Sequence, residues 1–351
     1  MAQIDLLFKA MLDQGGSDLH LEESKPPKIR KNGEVEDLEG FPLLTEEYFK
    51  SLLEEITSPE MWEKYKRVGD IDFAYAMGEK ARFRANYFRF FDGMGAIFRI
   101  IPTQILTLEQ LGAPDTFKTF SELRSGLVLV TGPTGSGKST TLAGIIDYIN
   151  THFSRKIITI EEPVEFVHKP KQCLIVHREV GEDTKSFTSG LRGALKSDVN
   201  VILVGEMRDQ ETIELALTAV EMGVLVFGTL HTNSAAKTID RIIDVFPAKK
   251  KPQIRNILAN SVKGIVSQQL LRSKDGKRRY AAHEILLYTP ALPGMIRSGE
   301  SVKLNNLIQM GKNLGMQTMD DCLMDMVKTD KVSMEAAHMK ALDKSRFVSP
   351  N

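Results

Sequence analysis

Gly132-Pro133-Thr134-Gly135-Ser136-Gly137-Lys138-Ser139-Thr140 fits the pattern G-x-x-x-x-G-K-[ST] without a mismatch. Its surroundings decide the fold. The apolar run Gly126-Leu-Val-Leu-Val-Thr131 comes before it, with strand composition. Thr141-Leu-Ala-Gly-Ile-Ile-Asp-Tyr-Ile-Asn150 comes after it, with apolar residues at helical spacing. A strand, a glycine-rich turn and a helix start together make a phosphate site. Glycines let backbone N–H groups point inward, and the helix N-terminus adds partial positive charge. Lys138 is expected to reach the β- and γ-phosphates, and Ser139 to put its hydroxyl on Mg²⁺. The chain is therefore expected to bind a nucleoside triphosphate.

Outward from this motif, strands and helices alternate from about residue 113. Alternation argues for a mostly parallel sheet with helices on both faces, an α/β architecture. Ile157-Ile-Thr-Ile160, Val201-Ile-Leu-Val204 and Val224-Leu-Val-Phe-Gly-Thr-Leu230 are near-continuous apolar runs, as strands buried on both faces require. From about Pro290 the chain reads as helical. Residues 1–101 read instead as a small α+β domain. An amphipathic helix over Gln3 to Gln14 is stopped by Gly15-Gly16, and a strand follows at Ser17 to Leu21. A second strand leads from Pro26 into an Asn32-Gly33 turn. Thr45 caps a helix over the next ten residues or so. Residues 70–77 and 80–89 form a hairpin around Gly78-Glu79, and Arg99 to Pro102 closes the sheet. A linker spans 102–112, with a helix near Leu108 to Gly112. The expected division is 1–101, 102–112, 113–289 and 290–351.

Composition narrows the function classes. The 351 residues carry 46 basic and 46 acidic side chains, for a formal net charge of zero. Binding to a nucleic-acid backbone usually shows as a basic excess, so no nucleic-acid partner is expected. No stretch approaches the ~18 apolar residues of a membrane span. The N-terminus lacks the charged and apolar regions of a signal peptide. Cys173 and Cys322 stand far apart, with neither disulfide framework nor paired zinc motif, which suits a reducing cytoplasm.

Four further constellations carry chemistry. Val201-Ile-Leu-Val204-Gly205-Glu206 is an apolar strand ending in an acid, a Walker B arrangement that holds Mg²⁺ directly or through water. Ile157-Ile-Thr-Ile160-Glu161-Glu162-Pro163-Val164-Glu165 sets three carboxylates after a buried strand, at the edge where open α/β sheets place ligands. One of these glutamates is a candidate to orient the attacking water. Gly228-Thr229-Leu230-His231-Thr232 puts a polar cluster at the same edge, suited to sensing the γ-phosphate. Arg82, Arg84 and Arg99 lie on expected strands of the small domain, with Arg89 nearby. A cation brought to the γ-phosphate is worth about three to five decades in rate.

Taken together these residues resemble the retraction ATPases of type IV pili, the PilT/PilU family of secretion ATPases. The resemblance covers roughly residues 4–340 and rests on motifs in order: Gly16-Ser-Asp-Leu-His-Leu21, the Walker A run, Ile158 to Phe166 as the Asp box, Val201 to Asp209 as Walker B, Gly228 to Arg241 as the His box, and Gly315-Met-Gln-Thr-Met-Asp320 near the C-terminus. It implies a PAS-like N-terminal domain before a RecA-like ATPase domain, and a homohexamer with ATP between subunits. It also implies Arg82, Arg84 and Arg99 as cations closing on the nucleotide, Glu165 as the water-polarising glutamate, Glu206 as the Walker B acid and His231 as the sensor. The implied partners are an inner-membrane pilus platform protein of the PilC type and a paralogous retraction ATPase. The implied location is cytoplasmic, peripheral at the inner-membrane face.

Three positions depart from the family pattern. Glu162 stands where the Asp box has aspartate. Ser197-Asp-Val-Asn200 replaces an acidic-Pro-Asp run. Ala291-Leu-Pro-Gly-Met-Ile-Arg-Ser298 replaces the retraction motif and is nearer to PilU, whereas the His box is nearer to PilT. The expected activity is pilus retraction driven by ATP hydrolysis; the alternative is an accessory ring acting through a partner ATPase. Assembly and type II secretion ATPases are expected to carry an extra N-terminal domain and a tetracysteine zinc site. A DNA translocase fits poorly with neutral charge. A GTPase lacks support because no Asn-Lys-x-Asp motif occurs.

Overall fold

The computed structural model describes residues 2–31, 34–78, 80–101 and 104–348. The expected Asn32-Gly33 turn, Glu79 of the hairpin turn and the Pro102 start of the linker lie outside them. Contacts divide the chain into two compact units. One comprises Met1–Gln104 with Glu162–Val167, the other Ile105–Glu161 with His168–Asn351.

The first unit opens with α1 (Asp5–Asp13), β1 (Asp18–Glu22), β2 (Lys28–Lys31) and β3 (Glu34–Asp37). It continues with α2 (Glu46–Glu55), α3 (Pro59–Val68), β4 (Asp70–Met77), β5 (Ala81–Phe90) and β6 (Gly93–Ile101). The strands form one antiparallel sheet in the order β3-β2-β1-β6-β5-β4. Thr45 caps α2 as expected, accepting a hydrogen bond from Tyr48 N. The sequence reading missed α3, although Ser58 caps it, Pro59 sits in its first turn and Gly69 ends it at φ 83°. Alternation fixes which face of the sheet is apolar. Ala81, Phe83, Ala85 and Tyr87 of β5 enter the core, where Phe8 of α1 stacks on Phe83 and meets Phe98 edge-on. The residues between them, Arg82 and Arg84 included, take the opposite face.

The second unit begins with turns at Leu108–Gly112. The helix expected there does not form. Gly112 ends the segment at φ 61°, and hydrogen bonds such as Ala113 N to Leu108 O close a turn instead. Next come α4 (Thr116–Glu122), β7 (Gly126–Thr131), α5 (Lys138–His152), β8 (Lys156–Glu161), β9 (Leu174–Glu179) and α6 (Phe187–Ala194). Then follow β10 (Val201–Val204), α7 (Gln210–Glu221), β11 (Leu225–Leu230), α8 (Ala235–Asp244) and α9 (Lys251–Ser261). The unit ends with β12 (Val262–Arg272), β13 (Arg279–Leu287), α10 (Leu292–Ser298), α11 (Leu304–Met310), α12 (Met319–Lys328) and α13 (Met334–Lys340). The sheet order is β13-β12-β7-β11-β10-β8-β9. All neighbours run parallel except β12 and β13, which pair antiparallel. The fold is thus α/β with a mixed, mostly parallel sheet.

Successive residues of the central strands go to opposite cores. Leu127 and Leu129 of β7 face the helices α6 to α11, whereas Val128 and Val130 face α4 and α5. With both faces covered, these strands have only their ends for polar work. Among the described residues no helix is long and apolar enough to cross a membrane.

Candidate nucleotide site

The P-loop leaves β7 and enters α5, as its sequence requires. Gly135 and Gly137 adopt φ 77° and 85°, the left-handed turn that lets Lys138 open the helix. Gly132 is needed for space as well. A Cβ there would lie 2.2 Å from the Gln268 carbonyl oxygen of β12. Pro133, Thr134 and Gly135 are exposed, Ser136 is buried, and Ser139 and Thr140 are half-buried on the first turn of α5. Lys138 Nζ donates to Gly132 O at 2.9 Å and Pro133 O at 3.2 Å, so the ammonium closes over the loop's own carbonyls. Ser136 Oγ is buried inside the loop with no hydrogen-bond partner. A loop shaped by glycine, holding an ammonium and an orphaned hydroxyl, fits an anionic phosphate group.

Glu206 follows β10 and is held from two sides. His231 Nε2 lies 3.0 Å from its Oε1, and Arg208 makes a close ion pair with it. Glu206 and His231, 25 positions apart in the chain, therefore meet at the ends of neighbouring strands. Hydrogen bonds tie the ends of these strands together. Met207 N donates to Thr229 O at 3.0 Å, Gly205 N to Ile160 O at 2.8 Å, and Thr229 Oγ1 to Gly205 O. Burial raises the Glu206 pKa, but hydrogen bonds and charge from Arg208 and His231 outweigh it and hold the carboxyl below its usual range. An ionised carboxylate here and a serine hydroxyl at Ser139 are oxygen donors of the kind Mg²⁺ takes beside phosphate.

Glu161 ends β8 and is buried. Glu162 is exposed and Glu165 half-buried, and both fall in the 162–167 segment that clusters with the first unit. The three arginines come together on the first sheet. Arg84 stands directly opposite Arg99, and Arg82 is two residues along the same face of β5. Arg99 Nε donates to Asp18 Oδ1 at 2.7 Å. Asp18 is buried, which raises its pKa, yet hydrogen bonds from Ser17 and Arg99 bring it below the ordinary value. Arg84 lies 3.6 Å from Asp72. The registers extend this row, since Arg30 of β2 stands opposite Asp18 and Asp18 opposite Arg99.

A pocket of about 320 Å³ adjoins the P-loop. Leu106, Leu111, Ala113 and Phe117 line one side, and Gly137, Thr140 and Thr141 another. Its floor is one face of the β12–β13 hairpin. Sequence reasoning missed this wall, and it missed Arg208, Asp18 and Gln268. The signal for Gln268 was present: Ser267-Gln268-Gln269 interrupts an apolar strand.

Comparisons with known proteins agree with the geometry. The family model "Type II/IV secretion system protein" matches residues 2–292. The chain is 49% identical over 328 residues to the type IV pilus retractation ATPase PilT of Pseudomonas aeruginosa, covering 93% of this chain and 95% of that one. It is 36% identical over 335 residues to the type IV pilus ATPase PilU of the same organism, covering 95% and 87%. A crystal structure of the pilus retraction motor PilT with bound ADP superposes with a TM-score of 0.90 at 42% identity, covering 99% of this chain and 98% of that one. With a P-loop, an acid–histidine pair at the same sheet edge and similarity along nearly its whole length, the chain belongs to the type II/IV secretion system protein family, as a PilT-type ATPase.

Proposed function

We propose that this protein is an ATP-hydrolysing motor that retracts type IV pili. The observation that carries the reading is the convergence of the P-loop and the Glu206–His231 pair on one sheet of a chain similar to PilT over nearly its full length. Lys138 exchanges the Gly132 and Pro133 carbonyls for phosphate oxygens, and the neighbouring pocket takes the nucleoside. Ser139 and Glu206 would hold Mg²⁺, which would supply charge neutralisation on the phosphates. Glu165 polarises the attacking water, with Glu162 beside it in the same segment. His231 reads the state of Glu206, so loss of the γ-phosphate changes a contact at the end of β11. Arg82, Arg84 and Arg99 bring positive charge to the nucleotide from the first sheet. The working form is a homohexamer at the cytoplasmic face of the inner membrane, acting on a PilC-like platform protein and alongside a paralogous retraction ATPase. Residues 1–101, 102–112, 113–289 and 290–351 are its functional divisions.

Steady-state Mg-ATPase activity of the purified protein tests this, with Lys138→Ala as the blank. We expect turnover that falls at least about 100-fold in the variant, the cost of losing a charge aimed at the phosphates. A strain deleted for this protein should lose twitching and fibre withdrawal. No turnover above the blank would move the protein to the accessory-ring reading. Normal withdrawal in the deletion strain would overturn the retraction role.

A further inference from the structure

Gln268 sits in the middle of β12, 2% exposed, in a strand whose residues are mostly buried. A buried amide must satisfy its donors and acceptor, and both ends of this one are committed to the P-loop. Nε2 donates to Ser136 O at 2.7 Å, and Oε1 accepts from Thr141 Oγ1 at 2.7 Å. The Ser136 carbonyl can only accept, which fixes the orientation of the amide and makes Thr141 the donor. The two partners bracket Lys138, one before it on the loop and one after it on α5. Close packing adds to this clamp. The Gln268 carbonyl oxygen occupies the space of a Cβ on Gly132, and its Nε2 lies 2.9 Å from where a Cβ on Gly137 would stand. One residue earlier, Ser267 Oγ meets Thr131 Oγ1 at 3.0 Å, at the end of the strand that feeds the loop.

The same residue belongs to the pocket. Gln268 stands opposite His283, and Leu270 opposite Ala281. These four side chains share one face of the hairpin by the two-residue alternation of strands, and all four line the pocket. The residue that clamps the phosphate loop is therefore part of the floor beside it. Glutamate accepts but does not donate when ionised, and leucine does neither.

We infer that Gln268 is a positioning residue for nucleotide binding. It sets the distance between the Ser136 carbonyl and the start of α5, and ties both to the hairpin that floors the adjoining pocket. This rests on the ATPase reading above.

Steady-state kinetics on the full-length protein test it, with Gln268→Leu, Gln268→Glu and Thr141→Val. Losing a buried hydrogen bond commonly changes an equilibrium about tenfold. We expect KM for Mg-ATP to rise about tenfold in Gln268→Leu and in Gln268→Glu, with kcat falling less than KM rises. Thr141→Val should show a smaller rise, about threefold, and should add nothing to Gln268→Leu in the double variant, because both remove the same bond. A purely structural role would lower the melting temperature without moving KM. KM within twofold of wild type in folded Gln268→Glu would overturn the inference. So would full additivity of Thr141→Val and Gln268→Leu. If Gln268→Leu does not fold, the Glu and Thr141→Val variants still decide. Lys138→Ala separates the two failures: equal turnover in wild type and Lys138→Ala sinks the ATPase reading itself, whereas an inactive Lys138→Ala beside unaltered Gln268 variants sinks only this inference.

Discussion

In the first unit, charged side chains stand in the middle of strands; in the central strands of the second unit they occur only at the ends. Arg84 and Arg99 face each other across β5 and β6 on the side of the sheet away from the aromatic core. The interiors of β7, β8, β10 and β11 carry no charge, and Glu161, Glu206 and His231 stand at or just past strand ends. The reason is coverage. A sheet with one open face can carry arginine at any alternate position, held by a neighbouring acid. A sheet covered on both faces has to place its chemistry at the carboxyl edge, where ligands of open α/β sheets bind. The first arrangement displays charge along the strands, and the second confines it to their ends.

That contrast is tested hardest at Arg99. If the displayed arginines act on the nucleotide, Arg99→Ala should lower kcat by about three decades, the lower end of what an arginine finger contributes, with nucleotide affinity changed far less. Arg99 also neutralises buried Asp18, so the same substitution should cost stability by leaving that carboxylate unpaired. Asp18→Asn combined with Arg99→Ala separates the two roles. Recovered melting temperature without recovered turnover supports a catalytic contribution. Recovery of both would make Arg99 a structural partner of Asp18 and nothing more.

At the carboxyl edge the corresponding probe is Glu206. Glu206→Gln keeps the shape and removes the charge that draws in Arg208 and His231. Turnover should fall about 100-fold, with ATP binding retained within a few-fold, because the lost interaction matters most as charge develops on the phosphates. Unchanged turnover in single-cycle measurements would remove Glu206 from the metal and return it to the role of a local ion-pair acceptor.

How far these sites could be read without coordinates follows from sequence separation. The P-loop was legible because strand, glycines, lysine and helix start lie within one short run, and each residue type has a local reason to be there. The Thr45 cap was legible on the same ground. Arg82 and Arg84 were legible as residues of a strand, but their place opposite β6 comes from the register of β5 with it. The 108–112 segment misled because its apolar spacing suits a helix, while Gly112 at positive φ closes a turn. The β12–β13 hairpin went unread amid alternating strands and helices, and with it went the floor of the pocket. Gln268 reaches Ser136 across 132 positions, and nothing in a linear pattern announces such a pairing beyond a polar residue in an apolar strand. Asp18 is a similar case: the motif around it is visible, but its burial beneath Arg99 comes from the register of β1 with β6.

The gentlest probe of the comparison is acid. Burial pushes His283 down to about 4, and burial followed by the nearby His177 does the same to His168. Both belong to the second unit. In the unfolded chain each imidazole takes up its proton near pH ~6.5; folded, it waits until about 4. Between those values the unfolded state binds more protons, so stability is full above the unfolded value and declines as pH falls through the window. Each histidine contributes a slope of up to about 1.4 kcal/mol per pH unit. In the first unit Asp18 has the same sign in a lower window, since its depressed pKa keeps the Arg99 pairing intact until the pH falls below the ordinary carboxylate range. Burial lowers His20 of the first unit as well, so melting followed from pH 7 to 5 should lower the transitions of both units, and that of the second, with its two strongly lowered histidines, by more. His283→Gln, which cannot take up a proton in that range, should flatten the decline by about one histidine's share. An unaltered slope in that variant would mean that His283 is protonated in the folded protein as readily as in the unfolded chain, and that burial at the pocket floor does not hold it neutral.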